Sequence, residues 1–481
     1  MIAALLIGLP LATAALAALL PRTWQAPLAL ATAVAVGAGA VAAALLSGDG
    51  RSVAVGGFAT PLGIVLIVDG AALAMVAMSA VVLAAAVLAI VVGHPAFPRA
   101  GWPLLHLLLA GLTTLFTTAD LFNAYVALEV ISLAGIALIA ISGTATAVEA
   151  QLRYLLVATL GALLYLLGVA LLYGVVGRLD AFAVAAADPD VPVMGVAAAL
   201  ITFGLLVKMA AWPVHGWLPP AHAGAIAPVS ALLSALVVKA PAFFLLRLWT
   251  DPFAPLAGPA LATLLGALGT AAIVWGSLQA LRQDRVKRVI AYSTVAQLGY
   301  LLLVVPLVAT GGATAALAWQ GGVLHALTHG LAKAGLFLAA GSLLVTAGGD
   351  RLRDLVGTSR GVPVLAFAIG MAAVSLMGLP PSLGFLGKWL LLRASLESGQ
   401  WWWAVPILGG GLLAAAYGFR LLAVTFRGGT SRSRQRLRAS NVRALDWLAF
   451  ALVMAPFALL LAAAPLTALI GDAPGFGARP S

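Results

Sequence analysis

Fourteen apolar runs, each long enough to cross a bilayer, follow one another along this chain and are joined by short polar segments. A spanning helix needs about 20 mostly apolar residues, and in hydrocarbon the backbone must satisfy its own hydrogen bonds. The sequence therefore predicts an all-α polytopic membrane protein of about 14 transmembrane helices. Only 9% of the 481 residues are charged, against about a quarter in a soluble globular protein, which leaves no room for a soluble domain. Cysteine is absent, which excludes disulfides, thiolate metal sites and iron–sulfur ligation by this chain. The first run, 1–20, ends in small residues before Pro21 as a signal peptide would. It has no basic leading segment and more spans follow, so the expectation is a retained helix.

The net charge of +11 does not point to nucleic acid, because the charges fall in short loops between apolar runs. Of the 26 lysines and arginines, four lysines lie inside the runs and five arginines (Arg51, Arg178, Arg247, Arg393 and Arg479) fall on one side. The remaining seventeen fall on the other. By the positive-inside rule the richer side is cytoplasmic and both termini face outward. The basic loop SRSRQRLR, 431–438, either anchors this topology or meets anionic headgroups or a partner's acidic loop.

One stretch departs from the pattern. Residues 205–241, LLVKMAAWPVHGWLPPAHAGAIAPVSALLSALVVKAP, are apolar enough for the bilayer yet carry Lys208, His215, His222 and Lys239. They also carry Pro213, Pro219, Pro220 and Pro228, each worth about 3 kcal/mol against a continuous helix. A broken helix survives in a membrane only where it is buried in protein or lines a wet cavity. Flanked by ionisable groups, it marks an ion pathway. The runs 314–346 and 362–392 exceed one straight span, so each predicts a bend or break. In the second, MGLPPSLGFLGKWLLL sets Pro380 and Pro381 before Lys388. The two broken elements are spans seven and twelve, and an odd offset between repeats means inverted topology.

The chain has five lysines, and Lys208, Lys239, Lys333 and Lys388 all lie within spans, whereas every arginine sits in or near a loop. An arginine stays charged at any accessible pH, but a desolvated lysine can release its proton. Each such charge costs at least about 2.5–3.5 kcal/mol to insert. One lysine of this kind can be explained by snorkelling from a helix end; four are poorly explained that way. Glu129 is the clearest intramembrane carboxylate. Beside a lysine it forms either a switchable pair or a structural salt bridge. Asp69 and Asp120 sit at span ends and read as interfacial. His325, His329 and Lys333 recur every fourth residue on one helix face, as a proton wire or as packed polar contacts. Histidines four apart can also hold a metal, but no third ligand and no HExxH arrangement accompanies them. Ser293, Thr294 and Gln297 form a polar face on a further span. No Gly-rich phosphate loop, catalytic triad or flavin motif is present, so no cofactor is expected and no residue is assigned to catalysis.

The segments KMAAWPVHGWLPPAHAGAIAPVSALLSALVVK, DRVKRVIAYSTVAQLGY, HALTHGLAKAGLF and LPPSLGFLGKW, within residues 120–390, resemble the proton-translocating antiporter-like subunits. That family is shared by respiratory complex I, membrane-bound hydrogenases and Mrp cation/proton antiporters. The resemblance implies fourteen helices with two inverted five-helix repeats. The division would be 1–102 for helices 1–3, 103–249 and 250–426 for the repeats, and 427–481 for the basic loop and helix 14. It implies that Glu129 and Lys208 are a coupled pair and Lys239 a central relay. Lys333 with the histidines would continue that relay to Lys388 as the terminal proton site. DLFNAYVALE is similar to the D-type Mrp form of its segment. The expected partners are then a large A-type subunit, small B-, C-, E-, F- and G-type subunits, protons and Na⁺, with a redox-driven pump as the alternative setting. The family usually has an acidic residue where this chain has Pro220, which puts a cation-attracting role of that loop in doubt.

Overall fold

The computed structural model describes residues 2–46, 51–58, 60, 62–94, 96–256, 258–428, 443–471 and 476. After α1 (Ile2–Leu19) and α2 (Arg22–Leu46) comes a small antiparallel ribbon, β1 (Arg51–Ala54) with β2 (Val65–Val68). Then follow α3 (Gly70–Gly93), α4 (Gly101–Thr117), α5 (Leu121–Ala140), α6 (Ala145–Val176) and the short α7 (Ala181–Ala185). Asp69, Asp120 and Thr144 start α3, α5 and α6 by accepting a hydrogen bond from the backbone amide three residues on.

The proline-rich stretch is broken as expected. The seventh span, α8 (Pro192–Lys208), stops at Lys208, and a short helix, α9 (Leu218–Gly224), resumes beyond a turn containing Pro213. Pro219 and Pro220 fall in the first turn of α9, where a missing amide costs nothing. The eighth span is α10 (Ala227–Leu232), a π-helical turn at Leu233–Val237, and α11 (Lys239–Thr250). Pro241 offers no amide to the carbonyl one turn back, which fits the wide turn there. Next come α12 (Pro259–Arg282), α13 (Val286–Val308) and α14 (Gly312–Ala347). The twelfth span divides into α15 (Pro363–Met377) and α16 (Leu383–Glu397), with Pro380 and Pro381 in the gap. The last elements are α17 (Ala404–Phe426), α18 (Arg443–Leu460) and α19 (Ala463–Ile470).

Among the described residues, nine helices are long and apolar enough to span, one further span is the pair α18–α19 bent by 84°, and four are shorter apolar helices. In order they correspond to the fourteen runs. Two local features stand out in the later spans. The run 314–346 is not broken: α14 continues for 36 residues, having no proline to remove a backbone donor, and its excess length is available to project beyond the hydrocarbon. The break appears instead in the fourteenth span. Burial grades inward: the span 227–250 is wholly buried and α13 nearly so, whereas only about a third of α2 is. The lysines and histidines of the predicted ion path are buried there, whereas Glu129 is partly exposed.

Candidate functional site

The predicted path begins where α8 stops. Lys208, its last residue, forms an ion pair with Glu129 of α5 and donates to Ser132 Oγ at 3.0 Å. Glu129 and Ser132 are three residues apart and so share a helix face. The lysine is enclosed, but the Glu129 side chain remains 26% exposed on the flank of the protein.

The next group is set by the π turn. Lys239 is fully buried and donates to the carbonyl of Ser234 within that turn. The Ser234 hydroxyl meets Thr294 Oγ1 of α13 at 2.8 Å. One residue earlier on α13, Ser293 Oγ accepts from Lys333 of α14, which also donates to the Ile290 carbonyl at 2.8 Å. Two buried lysines therefore reach the Ser293–Thr294 step from different helices, Lys333 directly and Lys239 through Ser234. The polar face of α13 is part of the site.

From Lys333 the α14 face leads back through His329 and His325, whose rings lie 5.9 Å apart. His325 Nε2 is 3.0 Å from the Gln297 carbonyl, and its ring is 5.0 Å from that of Tyr300. The ammonium of Lys388 stands 4.1 Å over the Tyr300 ring, a cation–π contact. Lys388 also donates to the carbonyls of Leu376 at 2.8 Å and Met377 at 3.2 Å. Those carbonyls close α15, where helix ends leave acceptors unused and the dipole is negative. The break at Pro380–Pro381 thus creates the acceptors that hold Lys388.

Only Lys208 of the four has a carboxylate partner among the described residues. The other three rest on carbonyls, with a hydroxyl added for Lys333. A carbonyl accepts from an ammonium and from a neutral amine alike, so these contacts survive loss of a proton.

Each lysine-bearing broken helix meets its neighbour through paired glycines. A Cβ on Gly204 would lie 2.5 Å from the Gly161 carbonyl of α6, and one on Gly321 of α14 would lie 2.9 Å from the Gly387 carbonyl of α16. Small residues let membrane helices approach this closely.

Other residues fall differently. His222 is buried and stacks on Phe337 at 4.5 Å, and His215 is half-buried near Tyr292. Asp69 and Asp120 are helix caps, as their positions at span ends suggested. Arg247 is not a loop anchor: it is buried in α11, and its guanidinium contacts both Asp69 carboxylate oxygens at 2.6 Å. Sequence reasoning missed Asp446, a buried acid in α18 that accepts from Ser342, although an acid inside the run 445–470 was visible. It also missed Tyr300. The loop 431–438 lies outside the described residues. Beyond the spans, burial and then the nearby Lys287 hold His94 below the usual imidazole value, and burial raises Asp120 above the usual carboxylate range.

Residues 118–414 match the transmembrane model of the NADH:quinone oxidoreductase/Mrp antiporter family. The chain belongs to this family. It is 40% identical over 392 residues to NADH-quinone oxidoreductase subunit N of Desulforudis audaxviator, covering 80% of this chain and 77% of that protein. It is 29% identical over 385 residues to the D-type Na⁺/H⁺ antiporter subunit of Alkalihalophilus pseudofirmus, covering 78% and 76%. Among solved structures, the archaeal membrane-bound sulfane sulfur reductase superposes with a TM-score of 0.88 at 29% identity, over 98% of this chain and 96% of the other. The Mrp complex from Dietzia sp. DQ12-45-1b does so with a TM-score of 0.87 at 27% identity, with the same coverage. This member of the family is a multi-pass membrane protein whose structural relatives work within multisubunit complexes.

Proposed function

We propose that the chain is a D-type, proton-translocating subunit of a multisubunit Na⁺/H⁺ antiporter in the plasma membrane. It would stand beside a large A-type subunit and small B-, C-, E-, F- and G-type subunits. It is a secondary transporter subunit and not an enzyme. The observation that carries the reading is the set of buried groups Lys208, Lys239, His329 with His325, Lys333 and Lys388, joined at one end by the partly exposed Glu129 and set around two helix breaks. Protons cross through two half-channels that this succession joins. A charge arriving at one lysine repels its neighbour, and wetting at the broken helices supplies and removes protons. The paired glycines of α6–α8 and α14–α16 support repeats at 103–249 and 250–426, flanked by 1–102 and 427–481.

The 40% identity to a subunit N favours a second reading, in which electron transfer in partner chains drives the same relay. Mass spectrometry of what co-purifies with a tagged copy in mild detergent separates the two. Small membrane subunits with one very large antiporter-like chain are expected. Stoichiometric iron–sulfur or quinone-site subunits would replace the antiporter reading with the redox-driven one.

A further inference from the structure

A cavity of about 670 Å³ opens on the side that carries Arg285, between α3, the α5–α6 turn, the α9–α10 joint and α14. Its two ends differ in chemistry. At the loop end stand Lys287, Arg285 and the hydroxyls of Ser142, Thr144 and Thr146, which begin α6. The lining also includes His94 and Asp350, and its apolar part includes Val92 and Val345, half and 72% exposed in the last turns of α3 and α14. A cationic, hydroxyl-rich head continuous with a laterally open apolar groove suits an amphiphile with an anionic end.

We propose that this cavity holds an anionic phospholipid, with its phosphate against Lys287, Arg285 and the Thr144–Thr146 hydroxyls and an acyl chain along Val92 and Val345. The Lys287 ammonium donates to the Ala225 carbonyl at 2.7 Å, and an ammonium has three donors, so donors remain for a phosphate. Arg285 is held by Asp350 at 3.1 Å, with both side chains about half exposed. An exposed pair of this kind is worth little, and the guanidinium can exchange one acceptor for a bidentate phosphate. Because Ala225 terminates α9, a bound headgroup also bears on the broken helix. None of these residues belongs to the proposed relay.

The test is native mass spectrometry of the intact complex, titrated with phosphatidylglycerol, phosphatidylcholine or inorganic phosphate. Wild type should retain one more phosphatidylglycerol than the double variant Arg285→Gln/Lys287→Gln. That site should weaken roughly 30-fold, at about fivefold for each basic group removed. Val345→Trp fills the apolar groove without touching a charge and should remove the same lipid, so the test does not hang on the double variant folding. Equal retention in wild type and both variants, or phosphatidylcholine held as tightly as phosphatidylglycerol, would overturn the proposal. Displacement of the lipid by inorganic phosphate, with Val345→Trp silent, would mean a free-anion site and would overturn it too.

Discussion

At the scale of single residues, the four membrane lysines do two different jobs. Lys388 rests on carbonyls that α15 leaves open. An arginine there would keep the charge and the acceptors but could not give up a proton. Lys388→Arg should therefore assemble normally and lose transport, measured as cation-driven pH change in inverted vesicles. Transport near wild-type level would remove Lys388 from the path. Lys208 differs because its partner is the Glu129 carboxylate. Removing Lys208 leaves the partly exposed Glu129 carboxylate uncompensated, at less than the about 3–5 kcal/mol of a fully buried pair. Lys208→Met alone should lower thermal stability in detergent, and adding Glu129→Gln should restore most of that loss without restoring transport. If the double variant is no more stable than the single one, the pair is not what holds α5 to α8.

At the scale of elements, helix breaks and glycine contacts position the lysines. Gly204 lies one turn before Lys208, and any side chain there would strike the α6 backbone at Gly161. Gly204→Ala should force the helices apart, cost about 1–3 kcal/mol and reduce transport by displacing Lys208 from Glu129. Unchanged stability by thermal unfolding would show that the contact has slack. Both breaks were legible in the sequence because a proline acts on its own turn, and so was the shared face of His325, His329 and Lys333, a matter of helical period. Pairings between distant helices were not. That Lys333 finds Ser293, or that Lys388 finds Tyr300, depends on how neighbouring spans pack, which no local pattern encodes. At α14 a long run without proline stays one continuous helix.

At the scale of the molecule, the distribution of charge predicts how the bundle sits in its membrane. The loop end of the 670 Å³ cavity and the α5–α6 turn lie on one side, and the segment after α7 lies on the other. With the buried Arg247 set aside, basic residues favour the first side seventeen to four across the chain, and translocating short basic loops is disfavoured. The bundle should therefore present the α5–α6 turn to the cytoplasm and the segment around Asp188 to the outside. Because the chain has no cysteine of its own, single substitutions give an unambiguous readout. Ala145→Cys and Asp188→Cys both fall at exposed positions and outside the proposed relay. An impermeant maleimide added to intact cells should label Asp188→Cys and spare Ala145→Cys, and inverted vesicles should reverse the pattern. Labelling of both from one side would contradict the span count, since an odd number of crossings separates them. A clean reversal would keep the fold and turn the whole relay around, with the Arg285 side facing outward.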